Sequence, residues 1–359
     1  MDFAAQTQAS SPDPEARRIR RVARLRDGAR IVGILLVLAA ASVLAGWIYG
    51  NETLKRMSPG FVTMNPVTAL CFLLSGLLLI LAATRAAGSS ASVWGRGFAA
   101  LLGLVGLAKL ADYAVGASFH FDQVLFQDQL FRDHAGTGNQ IAPNTAANLL
   151  LSGIAFWLLL SARGRFSSWA QGISLVLFYV SSVSLVGYLY GEHELYRIGG
   201  RTPMAFHTAA CFCLLAAGMV LAQADSGIAA LLSGRTPGGA SARLLLPAAL
   251  VLPVLLGGLR LAGVRLGWFS GEAGVALMFA AFSAIFTLLV WRGAERLDRD
   301  DAGNRAASAS LGQANGELKR LFTERTAALL AENDALRLRV TELEMAEAKR
   351  EEKRQEREA

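Results

Sequence analysis

Eight apolar runs of about 20 residues each constrain this chain more than any other feature, because that is the length an α-helix needs to cross a bilayer. They fall at 31–49, 64–84, 97–116, 143–162, 169–190, 204–223, 244–263 and 273–292. In hydrocarbon every backbone N–H and C=O must be paired inside its own segment, so such runs read as membrane helices. Composition agrees: 53% of the 359 residues are hydrophobic and 18% charged, where a soluble domain carries about 25% charged residues. Ala39-Ala40-Ala41 loosely resembles a signal-peptide cleavage site. The run around it exceeds the roughly 7–15 residues of a signal-peptide core and is read as an uncleaved first span. The expected fold is all-α: a polytopic membrane helix bundle of about eight spans, followed by a C-terminal cytoplasmic coiled-coil helix.

The net charge of +7 and a pI near 9.7 raise the question of nucleic acid. The basic residues, however, sit at the ends of apolar runs and not in one aromatic-studded patch, which points to the lipid bilayer as the partner and to no nucleic acid. On an eight-span topology the arginines from Arg17 to Arg30 share one side with Arg85, Arg96, Arg163, Arg165, Arg235, Arg243, Arg292, Arg296 and Arg299. The positive-inside rule then makes both termini cytoplasmic. Lys55, Arg56, Arg132, Arg197, Arg201 and Arg265 fall outside, several of them beside carboxylates. Cys71, Cys211 and Cys213 all lie in apolar runs with no paired spacing. They read as small packing residues, not as a disulfide framework or a metal site.

A short repeat opens alternate spans. Met64-Asn65-Pro66-Val67-Thr68-Ala69 recurs as Ile141-Ala142-Pro143-Asn144-Thr145-Ala146 and, more loosely, as Met204-Ala205-Phe206-His207-Thr208-Ala209, with Gly76, Gly153 and Ala216 following in register. Proline in a first helical turn marks a helix start, and Asn and Thr there can cap free N–H groups. The span before each copy ends near a tyrosine: Tyr49, Tyr113 and Tyr190. The pattern implies three helix-loop-helix units and a final pair of spans without the motif. Either these residues only cap and pack helices, or three positive helix ends converge to seat an anionic or hydrogen-bonding ligand. On the second reading the candidate ligand-binding residues are Tyr49, Asn65, Thr68, Lys109, Asp112, Tyr113, Asn144, Thr145, Tyr190, His207 and Thr208.

Lys109 and Asp112 stand one turn apart in the third span and can pair, either as structure or as a functional intramembrane site. The loop 117–142 carries Phe119, Phe121, Phe126 and Phe131 among Asp122, Asp128, Arg132 and Asp133. It reads as a short amphipathic helix on the membrane surface. His120, His134, His193 and His207 all map to the outer side, but no pair has a metal-motif spacing, so no metal is expected and any cofactor is unknown. Pro247 and Pro253 should bend or break the seventh span.

After Arg292 the composition turns to Glu, Arg, Ala and Leu. Phe322, Leu329, Leu336 and Leu343 repeat every seven residues, with Thr326, Asn333 and Val340 at the alternate seam position. This is a coiled-coil pattern, and Asn333 in the seam is the device that sets register in a parallel dimer. A single solvated helix with balanced charge is the plainer alternative. The expected dimerisation residues are Phe322, Leu329, Asn333, Leu336, Val340 and Leu343. Four segments follow: a disordered basic tail at 1–27, a membrane domain at 28–296, a flexible joint at 297–317 that contains Gly303, Gly312 and Gly316, and the coil at 318–359.

The Pro-x-Thr-Ala and Pro-Asn-Thr-Ala helix openings, and Glu324-Arg325-Thr326-Ala327-Ala328-Leu329 in the linker, resemble the multi-span membrane-associated sensor regions of bacterial histidine kinases and diguanylate cyclases. The resemblance covers about residues 28 to 350 and implies signal transduction in a bacterial inner membrane by a homodimer. Its coil would lead to a cytoplasmic output domain or partner protein outside this chain, as in two-component systems. No catalytic motif is found within the sequence, so enzymatic activity stays open. A transporter or channel, or a scaffold that recruits a partner through the coil, is the rival reading. The repeats share one orientation and embedded charges are few, which favours the sensor.

Overall fold

The computed structural model describes residues 14–84, 90–116, 119–133, 139–161, 166–224, 226–233 and 237–358. Arg85, Arg163, Arg165, Arg235 and His134, named above, lie outside the described residues. The described residues form helices α1 (Pro14–Tyr49), α2 (Glu52–Arg56), α3 (Pro66–Ala83), α4 (Ser90–Val115), α5 (Gln127–Asp133) and α6 (Pro143–Leu159). There follow α7 (Ser167–Tyr190), α8 (Phe206–Ala222), α9 (Gly227–Ser233), α10 (Pro237–Arg265) and α11 (Gly271–Glu358). Short 3-10 turns occur at Phe121–Gln123, His193–Leu195 and Ile198–Gly200, and no strand is present among the described residues.

Among the described residues six helical stretches are long and apolar enough to cross a membrane: Ile19–Tyr49, Pro66–Ala83, Ser92–Val115, Ser168–Tyr190, Ser241–Arg265 and Gly271–Arg299. The runs at 143–162 and 204–223 also form helices, α6 and α8, but at 17 residues each they are shorter. At 1.5 Å per residue they reach about 26 Å, a little under a bilayer core of about 30 Å.

Two stretches differ from expectation, and of the expected bend or break at Pro247 and Pro253 only the break is absent. The basic segment from Pro14 to Asp27, expected within a disordered tail, continues the first helix; Arg and Ala are strong helix formers, and proline suits a helix start. Residues 297–317, expected as a joint, are helical, and Gly303, Gly312 and Gly316 lie inside α11. A cost of about 1 kcal/mol per glycine is outweighed there by the surrounding Ala, Leu, Glu and Arg. Pro247 and Pro253 lie within α10, whose helical course runs through both. The chain divides into two compact units, residues 1–290 and 291–359.

Within the first unit the three repeats are structural units. The principal partner of α1 is α3, that of α4 is α6, and α7 packs on α8. Between repeats α3 meets α4, α6 meets α7, and α8 returns to α1, so six helices close a ring. The second helix of each repeat also touches the other two, which places α3, α6 and α8 inside. Small residues allow the close approach. A Cβ added at Gly76 would lie 2.6 Å from the Gly33 carbonyl oxygen, and one at Gly153 would lie 2.5 Å from the Gly103 nitrogen. In a membrane such contacts replace the hydrophobic effect as the source of helix association.

Equivalent positions on the inner helices give this ring its core. Phe72, Leu149 and Phe212 are fully buried, as are Leu79, Phe156 and Met219 two turns further on. The rings of Phe72 and Phe212 meet at a centroid distance of 4.6 Å. Cys71 and Cys211 are buried free thiols beside them, and Cys213 is half-buried.

Candidate functional site at the openings of the inner helices

The three helix openings converge. A cavity of about 10 Å³ is lined by Thr63, Asn65, Thr68, Asn139, Gln140, Ile141, Ala142, Thr145, Pro203, Met204, Ala205 and Thr208. Thr68, Thr145 and Thr208 are the same position of the three repeats, and each is at least 97% buried. The volume is about what one water molecule needs.

The three openings share one backbone plan, and only the first has a side-chain cap. Asn65 caps α3, its side chain accepting from Val67 N and Thr68 N at 2.8 and 3.4 Å. Ala142 and Ala205 stand at the same place before α6 and α8 in extended backbone. The carbonyls of Asn65, Ala142 and Ala205 accept the first helical bonds, from Ala69, Ala146 and Ala209. One residue earlier, each carbonyl is taken by an aromatic side chain from the preceding helix. Trp47 Nε1 donates to Met64 O at 2.9 Å, Tyr188 Oη to Met204 O at 2.7 Å, and Tyr113 Oη to Ile141 O.

A second group covers each of these aromatics. Lys55 Nζ lies 4.4 Å over the Trp47 ring, Arg201 lies 4.5 Å over Tyr113, and Tyr196 stacks on Tyr188 at 4.0 Å. Lys55 and Tyr196 are equivalent in backbone too, since their carbonyls accept from Met64 N and Met204 N. Lys55 and Arg56 both pair with Glu52. Burial alone would raise the Glu52 carboxyl, but these hydrogen bonds and charges outweigh it and hold the pKa below the ordinary carboxylate value. Tyr196 has its phenol raised by burial.

The second repeat carries an ionic cluster beside the cavity. Lys109 Nζ lies 3.1 Å from Asp112 Oδ2 and 3.0 Å from Asp122 Oδ1, and all three side chains are buried. Asp122 Oδ2 accepts from Ile141 N at 2.6 Å, and Asp112 Oδ1 accepts from Phe119 N at 2.9 Å. Asn65 Nδ2 donates to the carbonyls of Asp122 and Asn139 at 2.9 and 2.8 Å, and Asn139 Nδ2 donates to Thr63. The loop after α4 is thereby bolted across the opening of α3. Such a cluster is stable only while each charge keeps its partners.

Of the residues expected to form the site, Asn65, Thr68, Thr145 and Thr208 line the cavity, and Lys109, Asp112 and Tyr113 belong to the cluster beside it. Asn144 is buried between α6 and α7, donating to Ser184 at 3.0 Å. His207 is buried in the first turn of α8 and is not among the cavity-lining residues. Tyr49 and Tyr190 are not the repeating aromatics: Tyr49 is 82% exposed, and Tyr190 donates to Val254 O of α10. The equivalent residues are Trp47 and Tyr188, two positions earlier, each directly after a glycine (Gly46 and Gly187) that lets the following loop fold against the helix. Asp122, read as part of a surface helix, is instead fully buried in a 3-10 turn, because Lys109 supplies its counter-charge. Among the described residues no group of three His, Cys, Asp or Glu could hold a metal ion.

Comparison with known proteins adds nothing to the geometry: no family model, no curated protein and no solved structure matches this chain.

Proposed function

We propose that this chain is the input and transmission part of a homodimeric membrane sensor. Its membrane unit receives a stimulus at the cavity between the helix openings and passes it, through the C-terminal helix, to a cytoplasmic output module. The observation that carries this reading is the convergence of three equivalent helix starts on one small polar cavity, crossed by a loop fastened through Asn65, Asp122 and Asn139. A binding event there touches all three repeats at once, and it biases a two-state bundle when the ligand binds one of the two states more tightly.

In this proposal α6 and α8 span the bilayer with the six longer helices, giving eight spans and both termini in the cytoplasm. The seam Phe322, Leu329, Asn333, Leu336, Val340 and Leu343 pairs two copies; Leu336 and its apolar neighbours are exposed on the single chain, as a seam awaiting a partner would be. Against a transport path along the bundle axis stands the closed layer of Phe72, Leu149 and Phe212 below the cavity.

The test is a cysteine at Leu336 in a background where Cys71, Cys211 and Cys213 are replaced. Oxidation of native membranes should trap dimers, and Asn65→Ala, which unfastens the loop, should change the trapped fraction by at least about threefold. Monomers only, or substrate flux in reconstituted vesicles, would remove the proposal.

A further inference from the structure

We infer that His207 is a proton-operated latch, and that uptake of a proton there loosens the contact between the first and third repeats that closes the ring. This rests on the reading of the helix openings as the receiving end of the chain and names what they receive.

The loops that join the paired helices interlock. In the second repeat, the carbonyls of Asp122 and Asn139 accept from Asn65 of the first. In the third, Arg201 lies over the Tyr113 ring of the second and donates to its carbonyl at 3.4 Å. In the first, Phe61 meets Phe206 and Tyr188 of the third, each at a centroid distance of 5.2 Å. His207 follows Phe206 in the first turn of α8, at the junction where the chain of six helices returns to its start.

The repeats show what is unusual about this residue. Its equivalents are Val67, which is apolar, and Asn144, which donates to Ser184 at 3.0 Å. His207 is 7% exposed, and neither of its ring nitrogens reaches solvent or lies in hydrogen-bond geometry with any group among the described residues. A neutral imidazole has one donor and one acceptor to satisfy, and both are left bare here. The Lys55 backbone lies beside the ring, but its carbonyl already accepts from Met64 N at 3.0 Å. The titratable groups around the junction are also committed. Lys55 is itself buried, Glu52 is shared by Lys55 and Arg56, and the phenols of Tyr188 and Tyr196 are engaged with Met204 O and His193.

An imidazolium brings a charge and two N–H donors, and the closed junction supplies neither a counter-charge nor a partner for it. In water an imidazole takes up its proton near pH 6.5. The proton therefore binds best to the state in which the junction has opened and the ring is wet, and it shifts the bundle toward that state. Above about pH 6.5 the residue leaves the balance alone. Below it the ratio of open to closed junction rises by up to about tenfold per pH unit.

The experiment uses the full chain in lipid nanodiscs and reads amide exchange, corrected for its intrinsic pH dependence, in residues 57–63 and the first turn of α8. Between pH 7.5 and 5.5 the opening of both segments should rise about tenfold in the unsubstituted chain. His207→Val and His207→Asn install the residues that the first and second repeats carry at this position. With His120 and His193 still present, each should cut the rise to less than about twofold. No rise in the unsubstituted chain, or an equal rise in it and both variants, would overturn the latch. If Asn65→Ala still changes the Leu336 cross-link in that case, the sensor reading stands without it. Acid opening that depends on His207 and alters the Leu336 cross-link supports latch and signalling together; the same opening with an unchanged cross-link upholds the latch and removes its place in signalling.

Discussion

The closed ring of α1, α3, α4, α6, α7 and α8 and the pair α10 and α11 are built from equally apolar helices and are packed in opposite ways. In the ring, 56% of the apolar stretch of α3 and 33% of that of α1 is buried against protein, whereas for α10 the share is 0% and for the first part of α11 it is 6%. Hydropathy alone does not distinguish them. What does is the register of small and polar residues: Gly33 against Gly76, Gly103 against Gly153 and Asn148 against Ser181 tie the ring together. The faces of α10 offer Val251, Leu255 and Leu259 to their surroundings. Lipid satisfies an apolar face as well as protein does, so only close backbone approach and hydrogen bonding hold helices to one another in a bilayer.

This contrast can be broken by substitution. The largest effect is expected at Lys109→Met, which leaves Asp112 and Asp122 buried without their shared cation and should cost about 3–5 kcal/mol. Thermal unfolding in detergent would measure it, and adding Asp122→Asn should recover part of the loss. Gly153→Ala comes next. Its new methyl meets the Gly103 backbone and the Ala99 carbonyl, and overpacking of this kind costs about 1–3 kcal/mol. Leu255→Ala on α10, which is 62% exposed to its surroundings, should change stability by no more than about 0.5 kcal/mol in the same assay. An equal loss at both sites would erase the distinction between ring and pair.

Smaller effects sharpen it. Gly316→Ala in α11 meets nothing within 4 Å and should stabilise the helix by about 0.5–1 kcal/mol, slowing local amide exchange by about two- to fivefold. The smallest is set by pH. Because Lys55 and Arg56 hold the Glu52 carboxyl below its ordinary value, their contribution is present above the usual carboxylate pKa of about 4.3 and is lost as pH falls through the lower folded value. Glu52→Gln should therefore flatten the acid limb of stability and leave the region from pH 6 to 8 unchanged in slope.

Much of the bundle was legible in sequence because membrane helices announce themselves by length. All eight apolar runs are helical, and the openings at Pro66, Pro143 and Phe206 begin where the repeat implies. The repeat also named Thr68, Thr145 and Thr208, because one residue type recurs at one register. The aromatics were harder. Tyr49 and Tyr190 look like matches to Tyr113, while the equivalent donor in the first repeat is Trp47, a different residue type performing the same hydrogen bond. Pairing each aromatic with the preceding Gly46 or Gly187 would have given the right register in two repeats, but the second has Asp112 there. Asp122 was illegible for another reason. Its burial depends on Lys109, 13 residues earlier, and on Ile141, 19 residues later, and no local pattern carries partners so distant.

The most direct test of the central claim is pairwise cysteine cross-linking at Thr68, Thr145 and Thr208 in a background free of other cysteines. Three equivalent helix starts around one cavity require that all three pairs, 68 with 145, 145 with 208 and 68 with 208, are bridged within a single chain by the shortest reagent. A chain in which only one pair is bridged, or in which bridging occurs only between separate copies, would contradict the closed threefold arrangement on which the receiving site rests.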